Sequence, residues 1–318
     1  MLILPDSADP IAPPLPLLRA GQVARPRRDV ERGALVAVRR GIYAPAQHWR
    51  ELAPWDRYLA RVFAVAMQHP DAVFCFESAA ALSGLPILGD PLVVHVLAHA
   101  GETARLDGGI RTHTANSPRE LTEDGGHLRT APRETAVDIA RSRHPAYALA
   151  VADAVLRGDS ALAVESLVVT NETRASSRGR RVARWPLHRA DAAAESTFES
   201  VSRAAIEWLG FPQPLLQHWF VSRDGSRDRG DFAWPEDGVI GEADGDVKYD
   251  GSYGTPLARL RDRRARDARL MQQVRAVAHW AWDDVAEPAR LRRILESSGL
   301  RRTSPEQTAP LFSLRRLL

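Results

Sequence analysis

Residues 230–249 read GDFAWPEDGVIGEADGDVKY, and this stretch constrains the fold more than any other part of the chain. Two short apolar runs flank Pro235-Glu236-Asp237-Gly238, a turn-forming tetrapeptide that sends the chain back beside itself. In a strand, residues i and i+2 share a face, so Glu242 and Asp244 project together, and the hairpin partner brings Asp231 beside them. Lys248 follows with the same parity. Converging carboxylates repel unless positive charge lies between them, and a hard divalent ion such as Mg2+ (or Mn2+), with oxygen ligands, is the natural occupant. A metal on two or three carboxylates beside a lysine suits phosphodiester hydrolysis: the ion polarises phosphate and activates water, and the ammonium stabilises developing charge.

The basic residues single out Lys248 a second time. The chain carries 43 basic residues against 40 acidic ones, and Lys248 is its one lysine. Arginine therefore fills every other cationic role, and a compact ammonium is kept at one position, next to the carboxylates. At 318 residues the chain is long enough for two or three domains. A single cysteine, Cys75, excludes an internal disulfide framework and a thiolate zinc cluster. The longest apolar stretches, such as 92–100, fall well short of a membrane span, and the proline-bearing start lacks a basic leader. These features lead us to expect a soluble, cytoplasmic protein.

Along the chain, Pro-rich residues 1–14 read as a disordered arm. Two short helical stretches in 15–50 lead into a two-stranded wing that turns at Arg39-Arg40-Gly41. Residues 51–170 hold helical patches and strand candidates at 92–98 and 109–115, an α/β unit. Six arginines and no acid between Arg174 and Arg189 suggest an exposed basic linker over 171–190. From Asp191 the pattern is a helix, three strands, a charged helix over 257–275, a strand at 276–282 and a closing helix, an αβββαβα order ending at 301. Residues 302–318 then form a tail.

Residues 195-ESTFES-200, 230-GDFAW-234, 241-GEADGDVKY-249 and 278-AHWAWDDV-285 resemble the PD-(D/E)XK nuclease superfamily. The branch that the likeness points to is the very-short-patch-repair-like endonuclease domains, over about residues 190–290. The resemblance implies a restriction-endonuclease-like fold, Mg2+ (or Mn2+) as cofactor, Asp231 and Glu242 as its ligands, and Lys248 as a displaced catalytic lysine. Asp244 occupies the place where the superfamily has its lysine, a departure from the pattern. Glu199 corresponds to an acidic residue on the leading helix, while Ser196-x-x-Glu199 also reads as a capping box.

Residues 24-ARPRRDVERG-33, 34-ALVAVRRGIYAP-45, 76-FESAAALSGLP-86 and 126–141 resemble AbiEi-like antitoxins of type IV toxin–antitoxin systems. That likeness implies a winged helix over 15–50 followed by a small α/β domain, with Arg25, Arg27 and Arg28 on or near a recognition helix and Arg39 and Arg40 on the wing. Such residues would grip DNA phosphates without reading sequence. The expectation is a multi-domain α/β, DNA-associated protein that hydrolyses phosphodiester bonds. The alternative is a catalytically inactive DNA-binding regulator, antitoxin-like, with DNA and a cognate toxin as partners. His95, His99 and His113 could also be brought together by the strands, although no acid or cysteine at ligand spacing accompanies them.

Overall fold

The computed structural model describes residues 11–221, 225, 227–245 and 265–317. Two compact units emerge, the first comprising Met1–Ile139 and Val169–Arg178, the second Ala140–Val168 and Gly179–Leu318. Both mix helices with sheets, so the chain is a multi-domain α/β protein. Lys248, most of the expected arm and residues 257–264 of the expected charged helix lie outside the described residues.

In the first unit, β1 (Leu18–Arg19), β2 (Leu35–Arg39) and β3 (Ile42–Pro45) form a sheet in the order β1-β3-β2. The β2–β3 turn closes at Gly41, whose φ of +79° is a backbone state that glycine adopts without strain. The expected two-stranded hairpin is therefore present. Of the two helices expected before it, the first is only a 3-10 turn (Ala20–Gln22), and the second is the six-residue α1 (Pro26–Glu31), begun by its proline. Neither segment has the apolar stripe that would bury a longer helix, and α1 holds no buried residue.

After α2 (Ala46–Glu51) and α3 (Pro54–Gln68) comes a six-stranded sheet. Its strands are β4 (Val73–Phe74), β5 (Val94–Leu97), β6 (Arg105–Asp107), β7 (Ile110–His113), β8 (Leu121–Asp124) and β9 (His127–Thr130), ordered β6-β7-β5-β4-β9-β8. The core packs Tyr58, Val62 and Phe63 of α3 against Phe74, Leu82 of α4 (Phe76–Leu82), and Val94. Below it, α5 (Pro132–Ala140) presents Glu134 and Asp138 to a buried Arg174, at 2.5 and 2.8 Å. Ionic groups this deep persist because each is paired.

The second unit opens with α6 (Pro145–Gly158), before α7 (Val164–Thr173), and continues through α8 (Arg180–Arg189) and α9 (Thr197–Trp208). Its sheet runs β10-β11-β12-β13, from Leu215–Val221, Arg227–Trp234, Val239–Ala243 and Ala276–Trp280. The first three strands are antiparallel and β13 joins β12 in parallel. A helical stretch at 265–270 (α10) precedes β13, and α11 (Trp282–Ala286), α12 (Pro288–Ser297) and α13 (Thr308–Leu314) follow it. From α9 to α12 the order is thus αβββαβ and then helix. The core lies between α9 and one sheet face, where Val201, Ala205 and Trp208 meet Phe232, Trp234 and Trp280.

Three expectations change here. The stretch read as a linker carries α8, which buries Ala183 and Leu187 while Arg181, Arg184 and Arg189 stay outward. Counting arginines reports the wet side of an amphipathic helix and is silent on the dry one. The expected tail carries α13, with Leu311 and Leu314 in the core. Finally, α9 starts at Thr197 rather than Asp191, because Ser196 caps it: its hydroxyl accepts from the Glu199 N–H at 3.1 Å. Asp191 instead turns the chain by accepting from the Ala193 N–H.

Candidate active site

The site is built on the sheet face away from α9. Strands β11 and β12 pair with Phe232 opposite Gly241, which puts Asp231 and Glu242 side by side on the other face. Gly241 makes this register possible. A Cβ there would come within 2.4 Å of the Trp280 indole, so the strand lies flat on that ring and Glu242 is pressed outward beside Asp231. Asp231 Oδ2 accepts the Ala243 N–H at 3.0 Å, which locks its carboxylate across the hairpin.

Glu199 approaches from α9. It completes the capping box, accepting from the Ser196 hydroxyl at 2.8 Å and the Glu195 N–H at 2.9 Å. It also accepts from Gln217 Nε2 at 2.8 Å and adds its negative field to Asp231. Arg266 of α10 enters from the other side and forks onto Glu242, Nη1 to Oε2 at 3.0 Å and Nη2 to Oε1 at 2.9 Å. Arg266 Nη2 also donates to the Arg229 carbonyl.

Burial, followed by the neighbouring Asp231, pushes the Glu242 carboxyl up to about 7, against the opposing pull of Arg266 and His279. Asp231 is likewise raised, first by burial and further by Glu199, while its bond from Ala243 and the charge of Arg266 pull the other way. Even with the guanidinium in place, the pair is short of positive charge.

This shift has a consequence for stability. The folded value lies above the ordinary 4.5, so the folded chain keeps a proton that the unfolded chain releases. Stability then falls as pH rises from about 4.5 to about 7, by about 3–4 kcal/mol at roughly 1.4 kcal/mol per unit. Glu242→Gln cannot ionise. We expect it to match wild type in thermal melts at pH 4.5 and to melt higher at pH 8. Parallel melting curves at both pH values would show that Glu242 is ionised at no cost.

Asp244 does not join the pair. Its side chain turns to His279 Nδ1 at 3.1 Å, and the far side of that ring, Nε2, faces Asp267 Oδ2 at 3.2 Å. His279 stands opposite Glu242 in the β12–β13 register, so the imidazole draws away the third carboxylate. Among the described residues no group of three His, Cys, Asp or Glu side chains is arranged to hold a metal. The sequence offers Arg266 as one of several arginines on a phosphate-tracking helix face, and gives no sign that Arg266, His279 and Gln217 pair with these carboxylates. For His279 a signal existed, since alternation in 276–280 sets it opposite in face to the core Trp280.

In the first unit Arg25, Arg27, Arg28 and Arg40 are exposed. Arg39 is half-buried and committed to the fold, donating to Gln68 Oε1 at 2.5 Å and the Gly108 carbonyl at 2.9 Å. His95 Nδ1 and His113 Nε2 do meet, at 2.8 Å, with Glu77 Oε2 3.6 Å from His95 Nε2. His99 is elsewhere, lining an open cavity of about 400 Å3 with Arg39, His69 and Arg105.

No family model matches the chain. Two relatives from Mycobacterium tuberculosis do: the uncharacterized protein Rv2248 of strain ATCC 25618 / H37Rv and the uncharacterized protein MT2308 of strain CDC 1551 / Oshkosh. Each is 34% identical over 267 residues, covering 82% of this chain and 91% of the relative.

Proposed function

The chain belongs to the family of these two mycobacterial proteins, and from that premise we propose that it is a Mg2+-dependent endonuclease acting on DNA. The observation that carries this reading is the Asp231–Glu242 pair on adjacent strands of the second unit, both carboxyls raised, with Glu199 beside Asp231. The likeness of 190–290 to very-short-patch-repair-like PD-(D/E)XK domains supports it, as does the αβββαβ order from α9.

The two carboxylates fit a divalent ion in charge and in chemistry. Mg2+ is commonly held by one or two carboxylates and keeps several waters, so a larger cluster is not required. Asp231 and Glu242 would hold it, and the ion would supply a polarised phosphate and a more acidic water. The rest falls to the chain. The Ala243 N–H fixes one oxygen of Asp231 and so sets the direction of its carboxylate. Glu199, held by its capping box, keeps the local field negative and so favours a cation. Arg266, released from Glu242, would offer its fork to a phosphate. Lys248 would bring a compact cation near the attacking water. Arg25, Arg27, Arg28 and Arg40 would hold the DNA backbone, Arg39 being occupied within its own unit.

A second reading is favoured by one feature. Arg266 engages both Glu242 oxygens, and Asp244 stands where a lysine is expected and is tied to His279. That arrangement also suits a DNA-binding regulator, antitoxin-like with a cognate toxin, whose carboxylate pair is satisfied by its own arginine. Residence in the cytoplasm belongs to either reading, and among the described residues no helix is long and apolar enough to cross a membrane.

The deciding experiment is a nicking assay on supercoiled plasmid with Mg2+ or Mn2+. The nuclease reading expects open-circle product that chelator abolishes. DNA retained in a gel shift without any nicking under either metal would establish the regulator instead.

A further inference from the structure

β10 is the edge strand of the second unit's sheet, and Trp219 stands on it directly opposite Arg229 of β11. The indole is 50% exposed, unusual for a side chain that tends to be mostly buried. Two cations lie beside it. The Arg227 guanidinium lies 4.8 Å from the ring centre and that of Arg229 lies 5.7 Å away. Arg229 is kept in place by Glu195 at 2.7 Å.

Arg227 and Arg229 alternate along β11, so they share one side of the strand with Trp219, about 7 Å apart at the usual strand rise. An exposed ring and two arginines therefore stand together on one sheet face, two residues along β11 from the first carboxylate of the candidate site. A polypeptide adding to this edge would use the backbone of β10 and gain nothing from paired guanidinium groups. An unpaired nucleobase would use all of it, since its π-face stacks on the indole while its phosphates meet the arginines. Bases inside a duplex are already stacked on each other and have no free face to give.

We propose that Trp219, Arg227 and Arg229 form a clamp for an unpaired base of a DNA strand, two residues along β11 from Asp231. The inference deepens the nuclease reading, because it names the form of DNA that the site receives, and it is tested by binding alone.

The assay is fluorescence anisotropy of a fluorescein-labelled oligothymidylate with the full chain in EDTA, where no metal-dependent cleavage occurs. Trp219→Ala should weaken binding by about 10- to 100-fold, the usual loss of one base–aromatic stack. Trp219→Phe should stay within a few-fold of wild type. A deoxyribose-phosphate chain of equal length without bases should bind wild type and Trp219→Ala alike. Because the indole is half exposed, the variants should melt with wild type, so a loss of binding is not a loss of fold. Equal affinity of wild type and Trp219→Ala for the oligothymidylate would overturn the clamp, as would equal sensitivity of the base-free chain. So would a dimer, seen by sedimentation without DNA, that Trp219→Ala dissolves, since the ring would then serve a second copy of the chain. None of these results depends on whether plasmid is nicked, so the clamp and the nuclease reading fail separately.

Discussion

Asp231→Asn should reduce metal-dependent nicking on the order of 10³-fold, the scale seen when one charge-stabilising group is removed from a reacting centre. The substitution is nearly isosteric and still offers an oxygen to the Ala243 N–H, so the hairpin keeps its bond. What it loses is the anion. With a neutral amide there, Glu242 alone must hold the cation, and Arg266 already competes for Glu242 with two donors. The variant should not be less stable than wild type, because Asp231 is among the causes that push Glu242 up. Reduced cleavage with an unchanged or higher melting temperature is therefore the expected pair of results. Asp244→Asn serves as the contrast. Its carboxylate is taken by His279 rather than aimed at the pair, so its loss should cost far less. Nicking by Asp231→Asn at the wild-type rate would place the chemistry away from this hairpin.

The hairpin was readable because every element of it is local. A four-residue turn separates two alternating strands, and alternation alone sets Asp231 and Glu242 on one face while Phe232 and Gly241 take the other. The element order from α9 onward was readable for the same reason, each helix and strand having its own period. What stayed hidden depends on residues far apart in sequence. Nothing near Asp244 indicates that His279, 35 positions later, will draw it off the pair. Nothing in the arginines of 180–189 indicates that Ala183 and Leu187 will find a core. The division of the chain has a similar origin. Residues 140–168 lie between segments of the first unit in sequence, yet α6 packs on α8 and α9 in the second. The apolar face of α6 shows that it is buried, and only its charged residue shows against what.

That residue is Asp153, and Asp153→Ala should destabilise the second unit by about 3–5 kcal/mol, the cost of stripping one partner from a buried ion pair. Its side chain is fully buried, at 0% exposure. Arg203 of α9 donates from Nη2 to both carboxylate oxygens, at 2.9 and 2.8 Å. The Ser200 hydroxyl adds a bond at 2.6 Å and the Asp191 N–H another at 2.8 Å. Four hydrogen bonds thus converge on one anion from α9 and from the turn that leads into it. Removing the anion leaves Arg203 desolvated beside the Arg189 carbonyl, and that uncompensated charge is the larger part of the loss. The same bonds set the position of α9, and with it Glu199 and the capping box beside Asp231. The measurement is urea unfolding monitored by tryptophan fluorescence, comparing midpoints at unchanged slope. A double variant separates the charge from the packing. Asp153→Leu with Arg203→Met removes both ions and refills the space, and should recover most of the stability that Asp153→Ala loses, because a satisfied apolar contact replaces a satisfied ionic one. If the double variant is as unstable as the single, the pair holds α6 to α9 by its hydrogen-bond geometry and not by charge balance. If neither variant moves the midpoint, Asp153 is not the anchor that these bonds describe.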